Sequence, residues 1–343
     1  MASLPARDLD AMLDATRPLW DDLAGARIVL TGATGFIGTW MLESVGWARA
    51  RLGVDTRVVA LVRDPARFRT RLPHVADSPW LHLLKGDVRD CAIPEGTVDF
   101  LVHAASTAHP RQIAAAPLEV QDVVTRGTLH MTRLARTAGA TRALLMSSGS
   151  VYGSFATPSA PIAEDSPHGP DPLAPGSALA EAKRLAENAG ILVGRETGLG
   201  VVVARGFAMS GPWLPVDADF ALGNFIGDAL AGRPIRISGD GTPIRSFLYG
   251  SDVAAWLWTI LLRGMAGRAY NVGSERPVTI LEAAEAVSRI SGMPVERAAA
   301  APAGAAASWF VPSTRRARED LGLKERVAFE EGVAKMLEWH RGR

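Results

Sequence analysis

The stretch IVLTGATGFIG at residues 28–38 constrains this chain more than any other. A short apolar run ends in three spaced glycines, Gly32, Gly35 and Gly38, and leads straight into the helical pattern FIGTWMLESVGWAR. The first glycine permits a tight turn, the second a close approach of backbone to a ligand, and the third close packing of helix on strand. The helix N-terminus adds partial positive charge and free N–H groups, a combination that holds a pyrophosphate. Elsewhere such a pattern is only a turn. Here, opening a βα unit, it predicts that Gly32, Thr34, Gly35, Phe36, Ile37 and Gly38 cradle a dinucleotide.

A cradle of this kind needs a parallel sheet behind it. RIVLTG, RVVALVR, LHLLKGD, VDFLVHAAS, RALLMSSGS and GVVVARG read as strands, interleaved with helical patterns that include residues 117–138 and 177–195. Short continuous apolar runs alternating with helices predict an α/β fold, a doubly wound parallel sheet covered on both faces. At 343 residues and 48% hydrophobic, the chain has material for a second, smaller lobe. The expected organisation is a helical extension at 1–24, a dinucleotide-binding domain at 25–205 and 244–273, and a substrate-binding lobe at 206–243 and 274–343. In the extension, residues 4–23 read as helix with Leu9, Met12, Leu13, Leu19 and Trp20 apolar. The Ala-rich tract 297–308 reads as a surface loop.

Charge excludes several functions. Lys and Arg total 37 against 36 Asp and Glu, so no positive field exists to hold nucleic acid or an anionic membrane. The single Cys91 rules out an internal disulfide and a Cys-rich zinc site, and no metal is expected. The first residues lack a signal-peptide core, and no run nears the roughly 18 apolar residues of a membrane span. A cytoplasmic protein is expected.

Dinucleotide sites of this type usually carry an acid about 20 residues on, to grip a ribose 2′-hydroxyl. The second strand here ends in Arg63, with Arg67 a turn later. A guanidinium suits a 2′-phosphate, which favours NADP, with NAD the alternative. In the competing reading Arg63 faces water or adenine while Asp64 caps the next helix. Asp87 and Val88 follow the third strand, at the adenine edge or in a plain turn, and Ala104 and Ala105 follow the fourth.

TGATGFIG, GDV, VHAAS, SSGSVYG, the helix bearing Lys183, and GDGTPIRSFLYGSDV occur in this order across about residues 25–275. Together they resemble the extended short-chain dehydrogenase/reductase family, in its nucleotide-sugar epimerase, dehydratase and reductase branch. The resemblance implies an NAD(P)-dependent enzyme acting on a nucleotide sugar. It implies that Ser148 hydrogen-bonds the reacting sugar oxygen, Lys183 holds the nicotinamide ribose, Arg245 pairs with the substrate diphosphate, and Asn224 contacts the nucleotide. It also implies a homodimer through the helices near 117–138 and 177–195, with Leu129, Leu134, Leu185 and Leu192 as the patch. Otherwise those leucines pack inward.

The departures from the family pattern concern protons. Its proton-transferring Tyr stands four residues before the Lys, where this chain has Leu179. Tyr152, Tyr249 and Tyr270 are followed four residues later by Ala156, Val253 and Ser274, so no YxxxK exists. A phenol at 179 would share a helix face with the Lys183 ammonium, which would lower its pKa; a leucine carries no proton. Gly149 and Ser150 stand where the dehydratase and decarboxylase branches carry acids, and Ala208 where an Asn is common. Tyr152 is the nearest replacement for the phenol, unless it only packs beside the cleft. Lys183 follows, if burial lowers its pKa. His109, and Glu164, Asp165 and His168 on a Pro-rich loop, are further candidates; His103 reads as structural. The expected activity is hydride transfer on a nucleotide-linked sugar, of epimerase or keto-sugar reductase type, with non-standard acid/base chemistry. Alternatives are a catalytically impaired dinucleotide-binding partner or regulatory subunit, and an unusual dehydratase.

Overall fold

The computed structural model describes residues 3–106, 110–153, 160–218, 220–298 and 307–342. Strands β1 (Arg27–Thr31), β2 (Arg57–Val62), β3 (Leu81–Lys85), β4 (Phe100–His103), β5 (Arg142–Ser148) and β6 (Gly200–Gly206) form where the apolar runs lie. The side chains of β4 are buried along its whole length, as expected of a strand covered on both faces. With the edge strand Ala269–Val272 these make a parallel sheet of seven strands among the described residues. The order is edge strand, β6, β5, β4, β1, β2, β3. The winding therefore reverses between β1 and β4, which opens a crevice at the strands' C-terminal ends. Thr31 lies level with His103 there, and His103 with Leu145.

Helix α1 (Ala6–Thr16) is shorter than its apolar pattern predicted, because Pro18 lacks an N–H and the chain tightens into a 3-10 turn at Arg17–Leu19. Leu9, Met12, Leu13 and Trp20 still join the main core. Helix α2 (Phe36–Leu52) follows the glycine turn, and α3 (Pro65–Arg71) and α4 (Pro73–Ala76) connect β2 to β3. After β4 come α5 (Pro110–Ala115) and α6 (Pro117–Thr137), and after β5 comes α7 (Ala178–Thr197), which packs along α6. No helix among the described residues is long and apolar enough to cross a membrane.

Beyond β6, α8 (Ala221–Leu230), α9 (Gly250–Arg263), α10 (Ile280–Ser291), α11 (Arg315–Leu321) and α12 (Phe329–Arg341) complete the chain. A second apolar cluster joins Leu222, Phe225, Ile226, Val287, Phe329 and Met336. Phe36 packs against this cluster and against the main core, so the glycine turn sits where the two meet. Short strands in this part, such as Ile244–Arg245 beside Trp309–Phe310 and Val278–Thr279, had no readable period. Strands of two residues are too short to show one. Most of the Ala-rich tract lies outside the described residues.

Candidate active site

The glycine turn is built by backbone contact. Gly32 has φ +73, and a Cβ there would lie 2.5 Å from the Ala104 carbonyl oxygen and 2.8 Å from the Ala105 nitrogen. The end of β1 thus presses on the end of β4, which brings Ala104 and Ala105 to the crevice. A Cβ on Gly38 would lie 2.2 Å from the Gly32 carbonyl oxygen, so α2 enters hard against the turn. Gly35 caps α2 with no side-chain hydrogen bond, and Thr34 and Gly35 are exposed. The N–H groups of the first turn stay open for an anion.

Polar groups ring the crevice. The Thr31 hydroxyl oxygen accepts the Ala105 N–H at 3.0 Å and faces His103 Nδ1 at 2.9 Å. In the tautomer with its proton on Nε2, Nδ1 accepts the Thr31 proton and Nε2 is left as a donor. Burial, with the Lys183 charge behind it, holds His103 down at about 3, so it stays neutral. Lys183 is buried and donates to the Met146 carbonyl on β5 at 2.6 Å. Burial brings its pKa down to about 8, against the pull of Glu187. His103 Nε2, Ser106 Oγ and Ser147 Oγ are buried with no partner among the described residues. Buried orphans at strand ends fit a hydroxyl-rich ligand such as a nicotinamide ribose.

Leu179 lies one helical turn before Lys183, half-buried against Val120, Val124, Ala182 and Ala186. It fills an apolar seam between α6 and α7. Tyr152, the expected replacement for the missing phenol, is held by partners of its own. Its hydroxyl donates to Asn271 Oδ1 at 2.7 Å and accepts from Arg205 Nη1 at 2.9 Å. Its ring stacks on Phe207 and lies under the Arg205 guanidinium, and burial pushes its pKa up to about 12. Of the two expectations for Tyr152, proton carrier or packing residue beside the cleft, these contacts favour the second and hold the ring as an anchor. Glu187 pairs with Arg205 at 2.7 Å, and Glu164 accepts the Asn271 N–H at 2.9 Å. Glu164, a further candidate on the Pro-rich loop, has its side chain buried in this anchor. His109 lies outside the described residues.

Ser148 ends β5, and its Oγ accepts the Ser150 N–H at 3.1 Å. Arg245 is half-buried and donates to the Ser308 Oγ at 3.0 Å, with its guanidinium 5.9 Å from the Phe310 ring centre. Asn224 is half-buried in the first turn of α8. Between Ser148 and Arg245 stand two aromatics that the sequence did not single out. A Cβ on Gly149 would lie 2.7 Å from Phe310 Cζ and 2.9 Å from Phe207 Cε1. No local pattern marks them, since Phe207 and Phe310 are about a hundred residues apart and meet only in the fold.

Residues 28–273 match the family model of the NAD dependent epimerase/dehydratase family. The chain belongs to this family. It is similar to UDP-glucuronic acid decarboxylase 1 of Arabidopsis thaliana, 28% identical over 317 residues that cover 92% of this chain and 70% of the relative. It is equally similar to a dTDP-glucose 4,6-dehydratase of Streptomyces niveus, 28% identical over 323 residues that cover 92% and 93%. A crystal structure of a dTDP-glucose 4,6-dehydratase from Streptomyces venezuelae with NAD bound matches with TM-score 0.80 at 25% identity, covering 92% and 97%.

The residues expected at the adenosine end follow β2 and β3. Arg63 is exposed at the end of β2, while Asp64 turns back to accept the Ala66 and Arg67 N–H groups at 3.0 Å and caps α3. Both oxygens of Asp87 accept from Arg89, whose guanidinium holds the carboxyl below its ordinary range. Arg89 also reaches Glu119 and Asp122 on α6, at 2.9 and 2.8 Å. Val88 is buried where a Cβ on Gly127 would strike it, so it spaces this turn from α6.

Proposed function

We propose that the protein modifies a nucleotide-linked sugar by reversible hydride transfer, of epimerase or keto-sugar reductase type, with Lys183 in place of a phenol as the proton-handling group. The observation that carries this is Lys183 itself: a buried amine on the Met146 carbonyl, beside the end of the strand that presents Ser148. A bound nicotinamide would accept or return the hydride. The glycine turn holds its pyrophosphate, and His103 Nε2, Ser106 and Ser147 offer hydrogen bonds to its ribose. Ser148 orients the sugar hydroxyl, Arg245 faces the diphosphate and Asn224 lies toward the nucleotide. The neutral Lys183 amine takes the hydroxyl proton as the hydride leaves, and its ammonium returns one in the reverse direction. Gly149 and Ser150 supply no acid for elimination, which favours this reading over dehydration. Cofactor absorbance, followed with a panel of UDP-, dTDP-, GDP- and CDP-sugars, tests it. At least one sugar should change the redox state of the cofactor.

NADP is the preferred cofactor in this reading. Arg63 projects from the end of β2, and the neighbouring carboxylate of Asp64 is drawn into the α3 cap. A homodimer is part of it too: Leu185 and Leu192 on α7 are 57% and 46% exposed, although Leu134 packs inward on the sheet. Light scattering at micromolar concentration should give the mass of two chains. A cytoplasmic location also belongs to the reading.

A second reading, a dinucleotide-binding partner without turnover, is favoured by the packing of Leu179. The variant Leu179→Tyr separates the two. Turnover created or raised by the restored phenol supports an active site still in register, while a folded variant that binds cofactor and sugar without turnover supports the partner reading.

A further inference from the structure

Resting on the nucleotide-sugar reading, we infer that Phe207 and Phe310 determine specificity by walling the sugar seat beside Ser148, so that the site selects a 6-deoxy sugar over one with a carboxylate at that carbon. The wall stands next to the reacting centre. Gly149 follows Ser148 directly, and the space its side chain would enter is filled by Phe310 Cζ at 2.7 Å and by Phe207 Cε1 and Cζ at 2.9 Å. The two rings pack 4.6 Å apart, and Phe207 in turn lies 3.0 Å from where a Cβ on Gly273 would sit. Only glycine fits at 149 with both rings in place. Phe207 comes from the loop after β6 and is buried, whereas Phe310 comes from the short strand paired with Ile244–Arg245 and keeps part of its surface open.

The chemistry of this wall favours hydrocarbon. A methyl group or the C–H face of a deoxy sugar gains contact against the open part of Phe310, backed by Phe207, while a carboxylate would lose its water there without a partner. Arg245 sits over Phe310, and in the nucleotide-sugar reading its guanidinium is committed to the diphosphate. The remaining polar groups next to the wall in the chain are neutral. Ser150 follows Gly149, Ser246 follows Arg245 and Trp309 precedes Phe310; the Oγ, Oγ and Nε1 of these three are buried with no partner among the described residues. Neutral donors and acceptors serve sugar hydroxyls, not a carboxylate.

The full chain loaded with NADP is titrated calorimetrically with UDP, dTDP, GDP and CDP, and the diphosphate that binds best sets the series. Its glucuronate, glucose and 6-deoxyglucose conjugates, which differ only at one carbon, are then compared. The 6-deoxy compound should bind tighter than the glucuronate by roughly tenfold or more, with glucose between. Phe310→Ala should shrink that ratio to about threefold or less. Phe310→Leu, which keeps an apolar wall, should preserve the order and serves if the alanine variant does not fold. Equal binding of the three compounds by the native chain, or tighter binding of the glucuronate, overturns the wall and leaves the nucleotide-sugar reading standing. Failure of all four diphosphates and their sugars to bind the loaded chain overturns both.

Discussion

The two halves of the crevice have been treated differently. On the side proposed for the cofactor, at the ends of β1 and β4, all three glycines of the turn are in close backbone contact. On the side proposed for the sugar, hydrocarbon is prominent: Leu179 packs a turn before Lys183, and Phe207 and Phe310 lie over Gly149 beside Ser148. The contrast follows from what each half is made of. A pyrophosphate is held by N–H groups and by the absence of side chains, so any added atom destroys the site. A proton can be carried by several side chains, so one can be exchanged while the scaffold stays.

If that contrast is right, the largest effect should come from the remaining proton carrier. Lys183→Met is expected to cost roughly 100- to 10,000-fold in kcat, read from cofactor absorbance. In the native protein sugar oxidation needs the neutral amine, so its rate should rise with pH through about 8 and then level, while reduction should fall above about 8. Oxidation that is flat across pH 6.5–9.5, an interval of about 3 units around that value, would remove Lys183 from the chemistry. The same depression bears on stability. The unfolded chain keeps this proton up to about its ordinary value of 10.5, so the contribution of Lys183 to stability rises with pH between about 8 and 10.5.

Next in size is the cradle. Gly32→Ala combines a left-handed backbone with a Cβ set against the Ala104 carbonyl, and should cost about 2–5 kcal/mol in stability along with cofactor affinity. Thermal unfolding with and without NADP measures it. A variant as stable and as tightly bound as the native chain would dissolve the contrast between the two halves.

Tyr152→Phe sharpens it instead. Losing the hydroxyl strands Asn271 Oδ1 and one N–H of Arg205 Nη1, which keeps its bond to the Glu164 carbonyl, for about 1–3 kcal/mol of stability. Turnover per folded molecule should change little; its abolition would return the phenol to the reaction. The smallest effect belongs to Arg63→Ala, which should weaken NADP by about tenfold, one charge-assisted hydrogen bond, and leave NAD nearly unchanged. Equal loss for both cofactors would end the NADP preference.

The parallel sheet was legible in the sequence because buried strands announce themselves as apolar runs, and the cradle was legible because its three glycines are neighbours in the chain. The absence of a phenol at 179 was equally plain, since i and i+4 share a helix face by arithmetic alone. What stood at a distance was not. Tyr152 read either as a proton carrier or as a residue packing beside the cleft, and only the fold brought Arg205, Glu187 and Asn271 together around it. The Lys183 amine could be named from its helix, but its burial and its bond to the Met146 carbonyl are set by α7 lying over β5. Phe207 and Phe310 became a wall by the same route, through strands too short to carry a period. Local spacing determines which groups can share a turn, a strand or a helix face; desolvation, and the partner each group finds, depend on chain segments that only tertiary packing brings together.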